Sequence, residues 1–317
     1  MSDNNPRCSV VVRAFNEEKH IGRLLTGIMH QTIKEVEIVL VDSGSSDATV
    51  AIAARYPVKI VHIRPEEFTF GRSLNRGIEQ TTSESVVIAS AHVYPVFPDW
   101  LERLLEPFDN PRVALVYGKQ RGNESSYYSE QQHFAKLFPA ERIAVQKHPF
   151  CNNANSAVRR SLWLQNPFDE ELTGLEDMAW ANWAIQQNHV LSYAADAEVV
   201  HVHNEIPRQI YNRYRREAIA LRRIKAEERF HLGDFLRLYL SNVMSDGWHA
   251  LRERVFLKEA LGILKYRLMQ FWGTYRGFSL SKPLSASMKQ MFYYPRGFRA
   301  ADVKPRRDVE PIDYQSI

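Results

Sequence analysis

Cys8-Ser-Val-Val-Val-Arg-Ala-Phe-Asn-Glu17-Glu18, a helical stretch, and then Val36-Glu-Ile-Val-Leu-Val-Asp42-Ser-Gly-Ser-Ser-Asp47 decide the fold. Continuous β-branched runs mark strands buried on both faces, and a helix between two of them marks a parallel crossover. The second run closes in an acidic, serine-rich bend. Ligands of open α/β sheets sit at the carboxyl ends of such strands. An Asp followed by small residues there is placed to accept the ring N–H of a nucleotide base through a charge-assisted bond.

Outward from this pair the alternation continues. Ser9–Arg13, Val36–Val41, Val58–Ile63, Ser85–Ala89 and Val113–Tyr117 read as strands. Helices are expected over about Lys19–His30, over Ala48–Arg55 with Ser46 as N-cap, after Gly71, and around Trp100–Phe108. The pattern predicts a Rossmann-like, mostly parallel, doubly wound sheet. Arg121–His148 is irregular and is expected to be a lid or an acceptor-side insertion. Ala157–Trp163 and Asp177–Gln187 read as helices, and Val190–Val202 as two short strands ending in His201-Val-His203. From Ile206 the pattern is helical. Leu257, Leu261, Leu264, Leu268 and Phe271 keep helical spacing, which suits either a packed helix or one lying on a membrane surface. The expected division is 1–205 for the sheet domain and 206–317 for a basic helical region. The tail after Pro305 is polar and expected to be loose.

The 317 residues are 44% hydrophobic and 25% charged, ordinary for a globular chain. Two cysteines, Cys8 and Cys151, make no disulfide framework and suit a reducing compartment. No run approaches the ~18 apolar residues of a membrane span, and the polar N-terminus has no signal-peptide core. The expectation is a cytoplasmic protein, with contact at the inner face of the cell membrane left open. Charge is uneven, about −7 before residue 206 and about +11 after it. The cluster Arg208, Arg213, Arg215, Arg216, Arg222, Arg223, Lys225 and Arg229 is a solvated helix face or a site for anionic lipid or lipid-linked phosphate. Nothing carries a nucleic-acid-binding signature.

Together, Val-Val-Val-Arg-Ala-Phe-Asn-Glu-Glu, Val-Asp-Ser-Gly-Ser-Ser-Asp, Asn152-Asn-Ala-Asn-Ser-Ala-Val-Arg-Arg160 and Glu176-Asp177 resemble a family 2 inverting glycosyltransferase of the GT-A fold, of the bacterial polysaccharide-biosynthesis type. The elements fall in the family's order over about Ser9–His203. The resemblance implies that Ala14, Glu17, Asp42 and Ser43 line the base pocket. It places Arg72 and Asn75 near the nucleotide, and the segment with Asn155 near donor sugar and acceptor. Arginine suits a diphosphate and amides suit hydroxyls. Lys119 and Gln120 are weaker candidates.

One departure matters. Most relatives carry Asp-x-Asp where this chain has Ser90-Ala91-His92. Carboxylates there hold Mg2+ or Mn2+, whereas imidazole suits Mn2+ or a softer ion. His201 and His203, on one face by strand alternation, lie where the family often supplies a C-terminal ligand. His92 with one of this pair is a candidate metal site, His92, His203 and His201 being the candidate ligands; direct contact of His92 with the diphosphate and plain packing are the alternatives.

Inverting transfer needs one base to take the acceptor proton, while the nucleoside diphosphate leaves without protonation. Family precedent puts that base on Asp177, beside Glu176. The implied activity is transfer of a sugar from a UDP-, dTDP- or GDP-linked donor to a hydroxyl of a glycan or lipid-linked acceptor. The rival is a non-catalytic nucleotide-sugar-binding or scaffold module with a decayed metal site. The stretch Arg13–Lys19 lacks the glycines of a nucleotidylyltransferase or dinucleotide-binding loop.

Overall fold

The structure, a computed structural model, describes residues 6–279 and 310–315. In chain order the elements are β1 (Cys8–Ala14), α1 (Ile21–Met29), β2 (Val36–Asp42), α2 (Thr49–Ala53), β3 (Val58–His62), α3 (Phe70–Ile78), β4 (Ser85–Ser90), β5 (Val93–Pro95) and α4 (Trp100–Leu105). They continue with β6 (Val113–Arg121), α5 (Tyr128–Leu137), β7 (Ile143–Gln146), β8 (Asn155–Arg159), α6 (Arg160–Gln165), α7 (Glu176–Gln186), β9 (Val190–His201), α8 (Pro207–Ile224), α9 (Leu232–Arg252) and α10 (Phe256–Phe278).

The strands form one nine-stranded sheet in the order β3-β2-β1-β4-β8-β6-β9-β5, with β7 also paired to β9. β1 to β4 are mutually parallel, β8 runs against both β4 and β6, and β6 and β9 are parallel. The mostly parallel α/β sheet is therefore present, with helices following it. Period-2 alternation divides each strand between two cores. Val10, Val12, Ile38 and Leu40 pack under α1 and α4, with Leu24, Leu25, Trp100 and Leu104. Val11, Val39 and Val41 pack under α3 and α7, with Leu74, Ile78, Trp180 and Ala184. Strand order reverses between β1 and β4, where Arg13 pairs with Ser90, while Ala14 pairs with Asp42 on the other side. Such a switch point opens the crevice that ligands use.

Four readings of the chain change. Asn155–Arg159 is a strand, and the helix expected from Ala157 begins only at Arg160. The slot between β4 and β6 outweighs the local propensity of Ser-Ala-Val. Val190–His201 is one strand, with its extra residues relative to β6 lying between Ala194, opposite Gly118, and Val199, opposite Gln120. The Arg121–His148 stretch is regular in part, because α5 and β7 lie within it and Glu130 and Phe134 are buried. Finally, part of the polar tail is docked: the Tyr314 hydroxyl donates to Pro95 O at 2.8 Å and its ring packs edge-on to Tyr94. The rest of the segment after Pro305 lies outside the described residues, apart from 310–315.

The C-terminal helices are fastened by small residues and one buried ion pair. A Cβ at Gly273 or Gly277 of α10 would collide with the backbone of α8 at Tyr211 or Arg215, so the two helices touch backbone to backbone. Arg267 grips both oxygens of Asp246 at 2.7 and 3.0 Å and also bonds Gln270 and Ser129 O, tying α9, α10 and α5 together. Cys8 and Cys151 are buried free thiols. Among the described residues no helix is long and apolar enough to cross a membrane.

Candidate functional site

Two loops at the carboxyl ends of β1 and β2 brace each other. Asn16, in the left-handed region at φ 54°, accepts from Ser46 N at 2.8 Å, and its own N–H donates to Ser45 Oγ. Glu17 N donates to Thr49 Oγ1 at 2.7 Å, and Ala48 N to Glu18 at 3.1 Å. Asp47, rather than Ser46, meets the start of α2, accepting from Thr49 N at 2.9 Å, since Ser46 is engaged by Asn16. Asp42 lies on the floor of this corner. Its carboxylate accepts from Gly44 N and Ser45 N, and from His62 Nδ1 at 3.2 Å. The His62 side chain is 63% exposed, so the group resting on Asp42 is a mobile-ended surface ring rather than core. Ser43 donates twice to Ala14 O, closing the corner beneath.

The histidines converge. One ring nitrogen from each of His92, His201 and His203 lies within 4.8 Å of the others. Each ring is oriented through Nδ1: His92 on Glu17 at 2.7 Å, His201 on Gln120 at 2.8 Å, and His203 on Glu130 at 2.9 Å. That leaves three Nε2 atoms inward, and His201 Nε2 is buried with no hydrogen-bond partner. Outer partners that orient imidazoles in this way are characteristic of metal-binding histidines. Burial, then the neighbouring His203, His92 and Arg213, push the His201 imidazole well below its ordinary range; burial and Arg213 do the same to His203. Both are therefore neutral, the form that ligates. Burial also opposes charge on His92, but the Glu17 carboxylate reverses the balance and holds it above its usual value. The donor set fits Mn2+ or a softer divalent ion; Mg2+, which demands oxygen, does not suit three imidazoles.

The acidic pair opens α7 after Leu175, whose φ of 59° is left-handed and strained for a branched side chain. Asp177 accepts from Asn153 N at 3.0 Å and from Met178 N at 2.8 Å. Burial, and next the charge of Glu176, push its carboxyl up to about 7 against those bonds and the pull of Arg13. Glu176 faces Arg13 Nη1 and Asn153 Nδ2, both at 3.4 Å. The guanidinium groups of Arg13 and Arg216 both lie against the Phe70 ring, at 4.8 and 4.5 Å from its centroid. Two cations thus stand beside the acids at the sheet's switch point.

Three expected ligand residues have other duties. Asn75 is buried, donating to Phe168 O and Glu170 and accepting from Trp163 Nε1 and Phe168 N. Asn155 is fully buried, donating to Lys119 O and Ala197 O and accepting from Trp100 Nε1. Arg72 reaches back to Glu170 at 2.6 Å and Glu67 O at 2.8 Å. Their amide and guanidinium groups are engaged in joining α3 and β8 to neighbouring segments. Ser90 stays at the crevice, its N–H bonded to Ala154 O. Lys119 pairs with Glu198 at 3.1 Å. Residues that sequence reasoning did not single out include Arg13 and Glu130. Glu130 is 2% exposed and binds both His203 and Arg213, the latter at 2.7 Å. No local signal marks it, because its partners lie 73 and 83 residues away in the chain.

Residues 9–163 match the family described as Glycosyl transferase family 2. The chain is 27% identical over 221 residues to the O-antigen chain rhamnosyltransferase RfbN of Salmonella typhimurium, covering 66% of this chain and 70% of that protein. It is 29% identical over 196 residues to the O-antigen chain rhamnosyltransferase WbaN of Salmonella anatum, covering 58% of this chain and 62% of the relative. Among solved structures it superposes on the mannosyltransferase PcManGT of Pyrobaculum calidifontis, in complex with GDP-Man and Mn2+, with a TM-score of 0.58. That likeness, at 19% identity over 90% of this chain and 86% of the other, concerns the fold.

Proposed function

The chain is a glycosyltransferase whose residues 9–163 form a family 2 domain, and on that premise we propose that it transfers a sugar with inversion, using Asp177 as general base. The donor is a UDP-, dTDP- or GDP-linked sugar, and the acceptor a hydroxyl of a glycan or lipid-linked glycan. The observation that carries the reading is the Asp177 carboxyl, buried beside Glu176 and raised to about 7, without a cation in hydrogen-bond contact. A base poised near neutrality accepts a proton without being too weak to do so.

In this reading 1–205 is the catalytic unit and 206–317 the helical one. Asp42, with Ala14, Glu17 and Ser43, receives the base, whose ring N–H takes the place of His62. Asp177 takes the acceptor proton as the acceptor oxygen attacks the anomeric carbon. The bond from that carbon to the diphosphate breaks, its electron pair leaving on the phosphate oxygen. Arg13 and Arg216, both against Phe70, supply positive charge near that departure. Glu176 sets the field around Asp177 and keeps Arg13 in place. His92, His201 and His203 would hold a divalent ion, Mn2+ in preference to Mg2+, which when bound offsets diphosphate charge. The protein works in the cytoplasm, where nucleotide sugars are made.

The test is Asp177→Asn assayed with a panel of UDP-, dTDP- and GDP-sugars. Loss of transfer with donor binding intact supports the assignment. Normal turnover, or loss of donor binding alone, rules it out.

A further inference from the structure

Most of the exposed large hydrophobic side chains among the described residues lie on the C-terminal helices. On α9, Leu232, Leu236, Leu240, Met244, Trp248 and Leu251 are each at least half exposed, and on α10 Leu257, Leu261, Leu264 and Leu268 are exposed as well. Spacings of three and four keep each set on one side of its helix. The opposite sides are the ones that pack: Phe235, Asp246 and Ala250 on α9, and Ile263, Tyr266, Arg267 and Gln270 on α10. Contacts of Phe235 with Trp272 and of Asp246 with Arg267 show the two helices running antiparallel, so the stripes lie along neighbouring cylinders. A monomer rarely leaves so long an apolar strip in water without a use for it.

Charge says what covers it. Arg237, Arg252, Arg254, Lys258, Lys265 and Arg276 are exposed on or between the same helices, against the exposed acid Glu253 and the half-buried Asp234 and Glu259, which pair with Arg237 and Lys258. Lys258 and Lys265 each follow a leucine of the α10 stripe directly, so cations flank the apolar line. At one end, an open cavity of about 260 Å³ is lined by Arg222, Arg229, His231 and Leu232, with Tyr275 and Phe278 as walls. Leu232 belongs both to this cationic hollow and to the stripe. An apolar stripe flanked by lysine and arginine, beside a basic hollow, is the combination that seats a helix in a headgroup layer of negative lipids. We infer that α9 and α10 form a docking face for an anionic bilayer, with the hollow taking a lipid phosphate. α8 starts beside His203 and runs about 27 Å to this hollow, so docking leaves the crevice open to an acceptor at the membrane surface. The inference stands independently of which residue is the base.

Co-sedimentation of the full chain with vesicles tests it. The expected result is binding to phosphatidylglycerol–phosphatidylcholine vesicles, weakened by salt and weak on pure phosphatidylcholine. Leu240→Glu with Leu261→Glu should lower vesicle affinity at least about tenfold. Because both side chains face solvent, the melting temperature and nucleotide-sugar binding should stay as in the parent. Lys258→Glu with Lys265→Glu should lower binding to anionic vesicles only, and inorganic phosphate at millimolar concentration should not displace the protein. Equal binding to neutral and anionic vesicles overturns the proposal, as does unchanged binding of the leucine variant. So does a chain that ignores vesicles and sediments as a dimer that Leu261→Glu dissociates, which would assign the face to a second copy. Sugar transfer to a soluble acceptor by the vesicle-deaf variant separates failure of this face from failure of the active site.

Discussion

Two buried carboxylates in this molecule have opposite company. Asp246 is fully buried and bound at both oxygens by Arg267, which also donates to Gln270 and Ser129 O. Asp177 is buried to nearly the same degree, but it has two backbone N–H partners, a second acid next door and Arg13 beyond it. The complete pairing at Asp246 fixes three helices. The incomplete one leaves a carboxylate whose charged state is costly and whose proton affinity is raised to about 7. Burial with full pairing builds architecture, and burial with partial pairing stores reactivity. The histidine cluster follows the second pattern, since His201 Nε2 is buried without a partner.

The sharpest way to break the contrast is to remove each acid in turn. Asp177→Asn keeps an acceptor for Asn153 N and removes an unfavourable buried charge. Turnover should fall by about 10²–10⁴-fold, measured as initial rate at saturating donor. Thermal stability above pH 7 should hold or rise, because a carboxyl raised in the folded state weakens folding as pH climbs through and above its unfolded value. Arg267→Met should do the reverse. Stranding Asp246 should cost about 3–5 kcal/mol in denaturant unfolding, with donor affinity preserved under conditions where the protein is folded. If Arg267→Met left stability unchanged, the buried pair would not be structural.

Smaller effects sharpen the second half of the comparison. Glu17→Gln removes the group that orients His92. It should weaken Mn2+ binding, followed by calorimetry, by about 10–100-fold, and unchanged affinity would separate Glu17 from the cluster. Asn75→Ala should lower unfolding free energy by about 1–3 kcal/mol and leave donor affinity alone. A fall in donor affinity without loss of stability would return Asn75 to the nucleotide.

Legibility along the chain follows the same physics. β1, α1 and β2 were plain because strands buried on both faces must be apolar throughout, and Cys8–Ala14 and Val36–Asp42 have no other reading. The convergence of His92 with His201 and His203 was also foreseeable, through alternation at a strand end. β8 was hidden because Asn155-Ser-Ala-Val-Arg159 is polar at one end and short, and becomes a strand only between β4 and β6. At Asn75 and Asn155 the sequence does not separate two roles, because an amide suits a sugar hydroxyl and a backbone group equally well, and here backbone carbonyls take both amides. Glu130 was missed because its importance comes from partners 73 and 83 residues away, His203 and Arg213. Local pattern carries no trace of such pairings.

The central claim, that Asp177 must lose its proton for transfer, is met most directly by the single-turnover rate between pH 5 and 9. With a carboxyl raised to about 7, the rate should be level in alkali and fall about tenfold per unit of pH below neutrality, and the residual rate of Asp177→Asn should lose that limb. A parent profile that stays flat down to pH 5, or an Asn variant that keeps the same acid limb, would contradict the account.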